Sequence, residues 1–318
     1  MTQHALDLTS ELLRGMRLSG VNYRRIETSR PFGVEFGFVP GKAQFHFISR
    51  GPVLLRMVSG KRLMLQSGDA LFIPNGDGHV LLSDDQAAVV NVSRLPSEPV
   101  CDSVSCVKNA CDDAKNDSAI IFSACMDFEL GGMQPLVKAM PEVMMVSSLL
   151  TSRPEIPPML AAMERESLTR QAGYAGILAR LADVVAALIV RGWVECGCGN
   201  ATGWVQVLRD PKLAKAIYVM HQQPSINWKV EDLAREAGIS RSVFAERFLS
   251  ATGTTPARYL TELRMRLAVQ YISHEGQALE KVAFRLGYSS HAAFSRAFKR
   301  IIGKAPGALR EPAREQEA

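Results

Sequence analysis

Residues 233–240 of this chain have the sequence LAREAGIS, and residues 282–289, 49 positions later, have the sequence VAFRLGYS. After one extra residue the correspondence resumes at an offset of 50, and the matched pairs are Phe244 with Phe294, Phe248 with Phe298, Gly253 with Gly303, and Pro256 with Pro306. Agreement at a fixed period across two segments indicates a repeated supersecondary unit. The C-terminal third therefore contains the same unit twice.

Each unit is predicted to be a helix-turn-helix. Gly238 and Gly287 can adopt the left-handed conformation that a tight turn between helices needs. Ser240 and Ser290 are suited to cap the second helix of each unit, because its first N–H groups need an acceptor. The phenylalanines within a unit are four residues apart, which places them on one buried helical face. Residues 256–272 are predicted to form one helix that holds the two units at a fixed separation.

The composition indicates a globular protein of two domains whose positive charge is concentrated in one of them. The chain has 318 residues, 47% of them hydrophobic and 22% charged, and no segment approaches the roughly 20 apolar residues of a membrane span. No secretory signal is readable, so we expect a cytoplasmic protein with six reduced cysteines. From residue 207 onward, 18 Lys and Arg face 11 Asp and Glu, whereas residues 1–206 carry 19 and 21. Such asymmetry favours a nucleic-acid partner for the C-terminal part.

Residues 208–309 resemble the DNA-binding domain of the AraC/XylS regulators, most closely at residues 228–238 and 287–306. The resemblance implies that two helix-turn-helix units enter successive major grooves on one face of double-stranded DNA. Their facing segments would then be separated by one helical turn, about 34 Å.

The resemblance also assigns residues of the two recognition helices. Base edges would be reached by Arg241, Ser242, Ala245 and Glu246 of the first unit, and by His291, Ala292, Ser295 and Arg296 of the second. Arg296 is suited to bidentate contact with guanine, and Glu246 could accept from a cytosine amino group. Phosphate contacts are expected from Arg241, Arg247, Lys299 and Arg300. The alternative is that these exposed side chains form an ordinary solvated surface.

The N-terminal part is predicted to be an antiparallel sandwich or small β-barrel, because short alternating apolar runs are separated by turn residues from residue 43 to residue 130. Residues 68–79, GDALFIPNGDGH, resemble the second motif of the cupin barrels, and His46 stands at the place of a first-motif histidine. A cupin metal site needs about three histidines and a carboxylate. Ile48 occupies the place of the second histidine, so we expect no metal and no cofactor. His79 is then either a turn residue or part of a ligand pocket.

The fold class predicted for the whole chain is α+β and multidomain. We expect a cupin-like regulatory domain at 1–150, a helical hairpin at 151–195, a linker at 196–206, and the double helix-turn-helix domain at 207–310. The arrangement resembles a subgroup of the AraC family with a cupin-like sensor in front. In that family such a hairpin often pairs subunits, so a homodimer is possible; alternatively, the hairpin only covers the barrel.

The cysteines raise the question of the signal. Cys101, Cys106 and Cys111 recur every five residues in a polar segment, and Cys125 lies in a predicted strand near a cysteine that recurs in the subgroup. Some regulators with this arrangement respond to oxidants through thiols. We therefore hypothesise that oxidation of one or more of these four cysteines, by tying a mobile loop to the barrel, changes the state of the regulatory domain. There are two alternatives to this hypothesis. The thiols are inert, or the signal is a small ligand that enters the barrel near His46 and His79.

Taken together, the residues favour a sequence-specific transcriptional regulator and not an enzyme. We expect an activator that contacts RNA polymerase and responds to a small molecule or an oxidant, with no membrane partner. The alternatives are a metal-dependent cupin enzyme with an accessory basic domain, and an architectural DNA binder. Serial capped units disfavour the latter, because nonspecific binding needs only distributed charge.

Overall fold

The computed structural model describes residues 16–101, 104–109, 118–146, 154–169, 171–196, 203–204, 207, 210–273 and 275–309. These residues form two compact units. The first unit contains Arg17–Glu129 and Met140–Cys196, and the second contains Leu130–Ala139 and the described residues beyond 196. Within the described ranges, no helix is long and apolar enough to cross a membrane.

The first unit begins with strands. Their bounds are β1 Arg17–Ser29, β2 Gly33–Phe36, β3 Lys42–Arg50, β4 Val53–Met57, β5 Arg62–Leu65, β6 Ala70–Ile73, β7 His79–Leu82, β8 Val89–Asn91, β9 Ser97–Cys101, β10 Val104–Asn109, β11 Ser118–Glu129 and β12 Met144–Met145. In the described residues they form a seven-stranded sheet, in the order β12-β6-β3-β11-β1-β10-β9, and a five-stranded sheet, in the order β5-β4-β7-β2-β8. The β-rich N-terminal domain is therefore confirmed, as two sheets.

Pairing within these sheets is antiparallel except at two places. β1 pairs with β10 in parallel, and so does β2 with β8. The sequence pattern predicted antiparallel strands and no strand in the polar segment that contains Cys101, Cys106 and Cys111. β9 and β10 lie in that segment. β9 stands at the edge of its sheet, where Pro99 removes no ladder hydrogen bond from a central strand.

The core of the first unit lies between the two sheets. The larger sheet contributes Ile26, Ile48 and Ile121, and the smaller sheet contributes Val34 and Leu55, all of them buried in one cluster. Because side chains alternate along a strand, one face of each sheet supplies this cluster while the other face is free for other contacts. The alternation thus separates an inner from an outer surface of the larger sheet.

The outer surface of the larger sheet meets a helical hairpin, α1 Ile156–Thr169 and α2 Tyr174–Cys196. Phe47 and Phe122 lie on this surface with stacked rings, close to Leu160 and Leu178 of the hairpin. The Tyr23 hydroxyl donates a hydrogen bond to the Leu178 carbonyl at 3.0 Å. The predicted helical hairpin is therefore present, and it covers the sheet.

The second unit is helical apart from its turns, confirming the predicted all-α C-terminal domain. Its helices are α3 Pro211–Gln222, α4 Val230–Ala237, α5 Arg241–Thr252, α6 Pro256–Ser273, α7 Leu279–Arg285 and α8 His291–Ile302. The side chain of Asp210 caps α3 by accepting from two backbone N–H groups, with Pro211 at the first helical position. Helices α4 and α5 form one helix-turn-helix, and α7 and α8 form the other.

Candidate nucleic-acid interface and sensor cavity

Both turns have the conformation that the sequence predicts. Gly238 follows α4 with φ +65°, and Gly287 follows α7 with φ +80°. Ser240 Oγ accepts from the backbone N–H three residues on, at 3.4 Å, and Ser290 Oγ does the same at 3.2 Å. The caps satisfy helix N–H groups that have no partner within the helix. α5 and α8 therefore begin at corresponding points of the repeat.

The aromatic pairs fix which face of each recognition helix is buried. Phe244 and Phe248 are fully buried with ring centroids 5.5 Å apart, and Phe294 and Phe298 are fully buried at 5.7 Å. The opposite side of each helix must then face away from the core. One face of α5 and one face of α8 are thereby left for a partner.

The residues predicted to contact DNA lie on those outward faces. Nine are exposed and two are half-buried; the exposed residues are Arg241, Ser242, Glu246, Arg247, His291, Ala292, Arg296, Lys299 and Arg300, and the half-buried residues are Ala245 and Ser295. None is used in the core. Their individual contacts with bases and phosphates stay predictions.

The charges on the two faces are not alike. Arg241 Nε lies 3.0 Å from a carboxylate oxygen of Glu231, and Arg247 lies 3.9 Å from Asp210. The cations of α8 make no ion pair within the described part of the chain: Arg296, Lys299 and Arg300. The second recognition helix therefore presents the more positive surface.

A buried arginine, of which the sequence carries no indication, connects the two helix-turn-helix units. Arg264 of α6 is 8% exposed, and its guanidinium donates to the carbonyls of Pro224 at 2.6 Å, Ser225 at 3.2 Å and Ile226 at 3.0 Å. The same guanidinium lies 5.7 Å from the ring centroid of Tyr288 in the second helix-turn-helix unit. An arginine on a helix carries no sequence signal for such a role, since most arginines are solvated.

The loop that Arg264 holds also touches the turn of the second unit. A Cβ placed on Gly287 would lie 2.1 Å from the Ser225 carbonyl oxygen. Only glycine permits so close an approach of two backbones. α6 and this loop together hold the two helix-turn-helix units in a fixed relation.

The first unit contains a cavity of about 370 Å³ at one end of the inner surface of the larger sheet. Arg24, Ser123 and His46 are register partners on β1, β11 and β3, so they share this inner surface. Cys125 and Gln44 are register partners one step further along the same face. The inner surface thus changes along the strands from isoleucines to polar side chains that line the cavity.

His46 and His79, which the sequence singled out, do meet. Their Nε2 atoms are 2.8 Å apart, His79 Nδ1 is 2.9 Å from the Asp77 carbonyl, and His46 Nδ1 is 2.8 Å from the Ser123 hydroxyl. The ring of Phe36 stacks on His79. Burial lowers the pKa of His79 to about 4 and also lowers the pKa of His46, so both rings are neutral near pH 7.

Neutral rings fix the direction of every hydrogen bond in this series. The Asp77 carbonyl can only accept, so the proton of His79 is on Nδ1 and its Nε2 must accept. His46 then donates from Nε2, and its Nδ1 accepts from Ser123. Both ring nitrogens of each histidine are therefore occupied within the protein.

The histidine pair does not fit a metal centre. Each Nε2 is directed at the other rather than at a common point, and no group of three His, Cys, Asp or Glu side chains in the described residues could hold a metal ion. A metal site of this kind needs at least three converging protein ligands. The pair instead links β3 to β7 across the interior.

Cys106 and Cys125 lie on opposite faces of the larger sheet, and thiol sensing stays a prediction. Cys106 is a register partner of Arg25 on the outer surface, whereas Cys125 lies on the inner surface. A disulfide between them would require one strand to reverse its faces. Burial raises the pKa of Cys125, which lowers its thiolate fraction. Cys101 ends β9 and its side chain is not described, and Cys111 lies outside the described residues.

Comparison with known families gives two matches. The sequence model of a cupin family matches residues 7–195, and that of a helix-turn-helix domain matches residues 233–312. The cupin match covers more than half of the chain, and the second match covers both repeated units. These ranges agree with the β-rich unit and the helical unit of the structure.

Relatives match along most of the chain. The HTH-type transcriptional regulator AlkR of Acinetobacter baylyi is 28% identical over 84% of this chain and 87% of its own. The RCS-specific HTH-type transcriptional activator RclR of Escherichia coli is 26% identical over 86% and 85%. A solved AraC-type regulator from Chromobacterium violaceum is 25% identical, covering 34% of this chain and 97% of that one, with a TM-score of 0.32.

The repeated units, their outward recognition faces and both family matches lead to the same assignment. This chain belongs to the AraC-type transcriptional regulators with an N-terminal cupin domain, and it is a DNA-binding regulator of transcription.

Proposed function

We propose that α5 and α8 read successive major grooves of one operator, with their facing segments about 34 Å apart along the duplex. The outward faces of the two helices carry the proposal, because each helix buries its phenylalanine pair while nine of the eleven predicted residues are exposed. Arg296 is assigned to a guanine and Glu246 to a cytosine, whereas Arg241, Arg247, Lys299 and Arg300 are assigned to phosphates.

The Arg296→Ala variant tests the base assignment. An operator is first selected from a random duplex library with the full chain, and affinities are then measured on that operator and on random DNA. Loss of a bidentate guanine contact should cost about 1–3 kcal/mol on the operator and relax preference at one base pair. Arg258→Ala is the control, since Arg258 is exposed on α6 and pairs with Glu262. Equal losses of Arg296→Ala on both DNAs would make Arg296 a phosphate contact.

The salt dependence of binding tests the phosphate contacts together. If five to eight phosphates are neutralised, log affinity against log salt should have a slope of roughly −4.5 to −7. The measurement is a fluorescence anisotropy titration at several salt concentrations. A nearly flat plot would contradict the basic face, whichever bases are read.

We further propose the organisation predicted above, in which 207–310 binds DNA and the cupin domain at 1–150 controls it in response to a small molecule or an oxidant. The cavity beside His46 supports the second part, because ligand pockets have volumes of about 300–1,000 Å³. The proposed output is activation through RNA polymerase, measured as run-off transcription from the selected operator. Repression in that assay would reverse the sign of the control.

We propose that the helical hairpin at 151–195 pairs two copies of the chain. Ile177 and Val184 support this, because they are exposed apolar residues seven positions apart on α2, which places them on one helical face. Light scattering of the Ile177→Asp, Val184→Asp double variant should show a loss of dimer. An unchanged mass would leave the hairpin as a cover for the sheet.

We also infer that the chain acts by binding and not by catalysis. The occupied nitrogens of His46 and His79 support this inference, since a metal-dependent cupin would need them as ligands. Elemental analysis of the purified protein is the test. A stoichiometric transition metal that is lost in a His46→Asn variant would favour the enzyme alternative.

A further inference from the structure

We infer that the cavity of the cupin domain binds a small organic monocarboxylate, whose carboxylate pairs with Arg24 while its apolar body lies against Phe36 and Val39. This inference rests on the proposed function only in assigning the effector to the cupin domain. It specifies the chemical class of that effector. The argument has three parts, which are the state of Arg24, the charge of its surroundings and the size of the cavity.

Arg24 is half-buried in the first unit and has no hydrogen-bond or ion-pair partner among the described residues. Its register partners Ser123 and Ser105 line the same cavity, which places the three side chains on one face of the sheet. The structure gives Arg24 no hydrogen bond and no ion pair among the residues that it describes, although it is half-buried. Its neighbour Arg25, on the opposite face, pairs with Glu27. A half-buried guanidinium is stabilised when an anion replaces the water that it has lost.

The other groups that line the cavity are neutral. They include four hydrogen-bonding side chains besides the histidine, namely Asn22, Gln44, Ser105 and Ser123. No Asp or Glu is among the described lining residues. His46 is neutral because burial lowers its pKa. Within the described lining the positive charge of Arg24 is therefore uncompensated.

The cavity suits a single negative charge on an apolar body. Arg24 is the one Lys or Arg among the described lining residues, and Lys42, outside that lining, is 2.8 Å from Asp127. One guanidinium matches the two oxygens of a carboxylate, whereas a phosphate carries close to two charges near pH 7. Phe36 and Val39 supply apolar contact on the cavity wall.

The volume also favours this cavity over the space that lies under the hairpin. The space between the outer surface and the hairpin, next to Phe122 and Leu160, is only about 30 Å³, close to the volume of a single water. The cavity at Arg24 is about 370 Å³, which accommodates a ligand of several carbon atoms. The polar row lies in the larger of these two spaces.

The test compares matched acid and amide probes on the full chain. Benzoate, hexanoate and decanoate are each titrated beside benzamide, hexanamide and decanamide, with binding followed by calorimetry and by the shift in melting temperature. At least one acid should bind, and its amide should bind at least about tenfold more weakly, because the charge-assisted pair with Arg24 is lost. The Arg24→Gln variant should lose that preference for the acid. Arg94→Gln, an exposed arginine outside the cavity, should retain it.

Three results would overturn the inference. No binding by any of the acids excludes the class, equal binding by the Arg24→Gln variant removes the role of Arg24, and equal binding of inorganic phosphate shows an unspecific anion site. Gel shifts of the same protein preparations on the selected operator distinguish failure of the carboxylate inference from failure of the proposed function. Operator binding that persists without acid binding overturns the effector class alone, whereas loss of operator binding in the wild type overturns the regulator.

Discussion

The two helix-turn-helix units share a fold but differ in what surrounds each equivalent position. Gly238 and Gly287 both have positive φ, yet a Cβ on Gly238 would meet nothing within 4 Å, whereas one on Gly287 would meet the Ser225 backbone. The arginines of α5 lie near carboxylates, whereas the cations of α8 do not within the described residues. Repetition in sequence thus establishes repeated local structure, while packing and charge make the units unequal.

This inequality suggests a division of labour. The second helix-turn-helix unit is held in place by the contact of Gly287 with the Ser225 backbone and by the position of the Arg264 guanidinium over the Tyr288 ring. It also presents three cations that have no ion pair within the described residues. The first unit presents a mixed face, on which Glu246 lies among arginines. We expect the second unit to supply more phosphate affinity and the first unit to supply more discrimination.

The largest difference is expected from an alanine at each turn glycine. Gly238→Ala should cost about 1 kcal/mol, because only the left-handed conformation is disfavoured. Gly287→Ala should cost about 3 kcal/mol or more, because the new methyl group also overlaps a backbone carbonyl that cannot rotate away. Urea unfolding of both variants measures the difference in the free energy of unfolding.

Comparing the two glycine variants distinguishes backbone strain within the turn from a steric clash with the Ser225 loop. Similar losses in the two variants would mean that the Ser225 loop moves away freely, and the close approach at Gly287 would then have no role in stability. Affinity for the operator should fall only in Gly287→Ala at a temperature where both variants remain folded.

A smaller effect is expected from Arg264→Lys. A lysine keeps the charge but cannot donate to three carbonyls from a planar group, so we expect a loss of about 2 kcal/mol. Arg258→Lys is the matched control on the same helix and should stay within about 0.5 kcal/mol of the wild type. The free energy of unfolding is again the measurement.

The Arg264 variant also tests the fixed relation of the two units. Operators with one base pair inserted between the half-sites should bind the wild type poorly, and the variant should discriminate less between normal and lengthened spacing. Unchanged discrimination would assign the spacing to α6 alone.

Two double variants test the charge difference between the recognition helices. Lys299→Ala with Arg300→Ala, and Arg241→Ala with Arg247→Ala, each remove two positive charges. The first should flatten the slope of log affinity against log salt by about 1.8, as expected for two lost phosphate contacts. The second should flatten it by less, because Glu231 and Asp210 already reduce the local positive potential. Equal changes would contradict the inequality of the two faces.

The helical unit was predictable because its signals are local. The turn glycines, the capping serines and the phenylalanine pairs are read from spacing and residue type, and all of them have the expected structure. Arg264 was not predictable, because its partners are the carbonyls of residues about 40 positions away. A backbone acceptor leaves no residue type in the sequence that would reveal the contact.

The cupin unit was less predictable because its interior is not uniformly apolar. β1 was missed since Asn22 and Arg24 lie on the inner face, which breaks the alternation expected of a half-buried strand. β9 and β10 were not predicted because proline and charged residues there suit an edge as well as a turn. The polar positions that concealed β1 are the ones that line the cavity.

The smallest effects are expected at the two capping serines, where the two helix-turn-helix units should lose the same amount of stability. Ser240→Ala and Ser290→Ala each remove one acceptor for a helix N–H, with closely similar geometry. Each should lower the free energy of unfolding by about 1 kcal/mol, since the N–H is exposed and water replaces the hydroxyl. Ser250→Ala, on an exposed position within α5, is the control and should change it little. A clear difference between the two cap variants would show that packing reaches even the caps, and that the units differ in local structure as well as in surroundings.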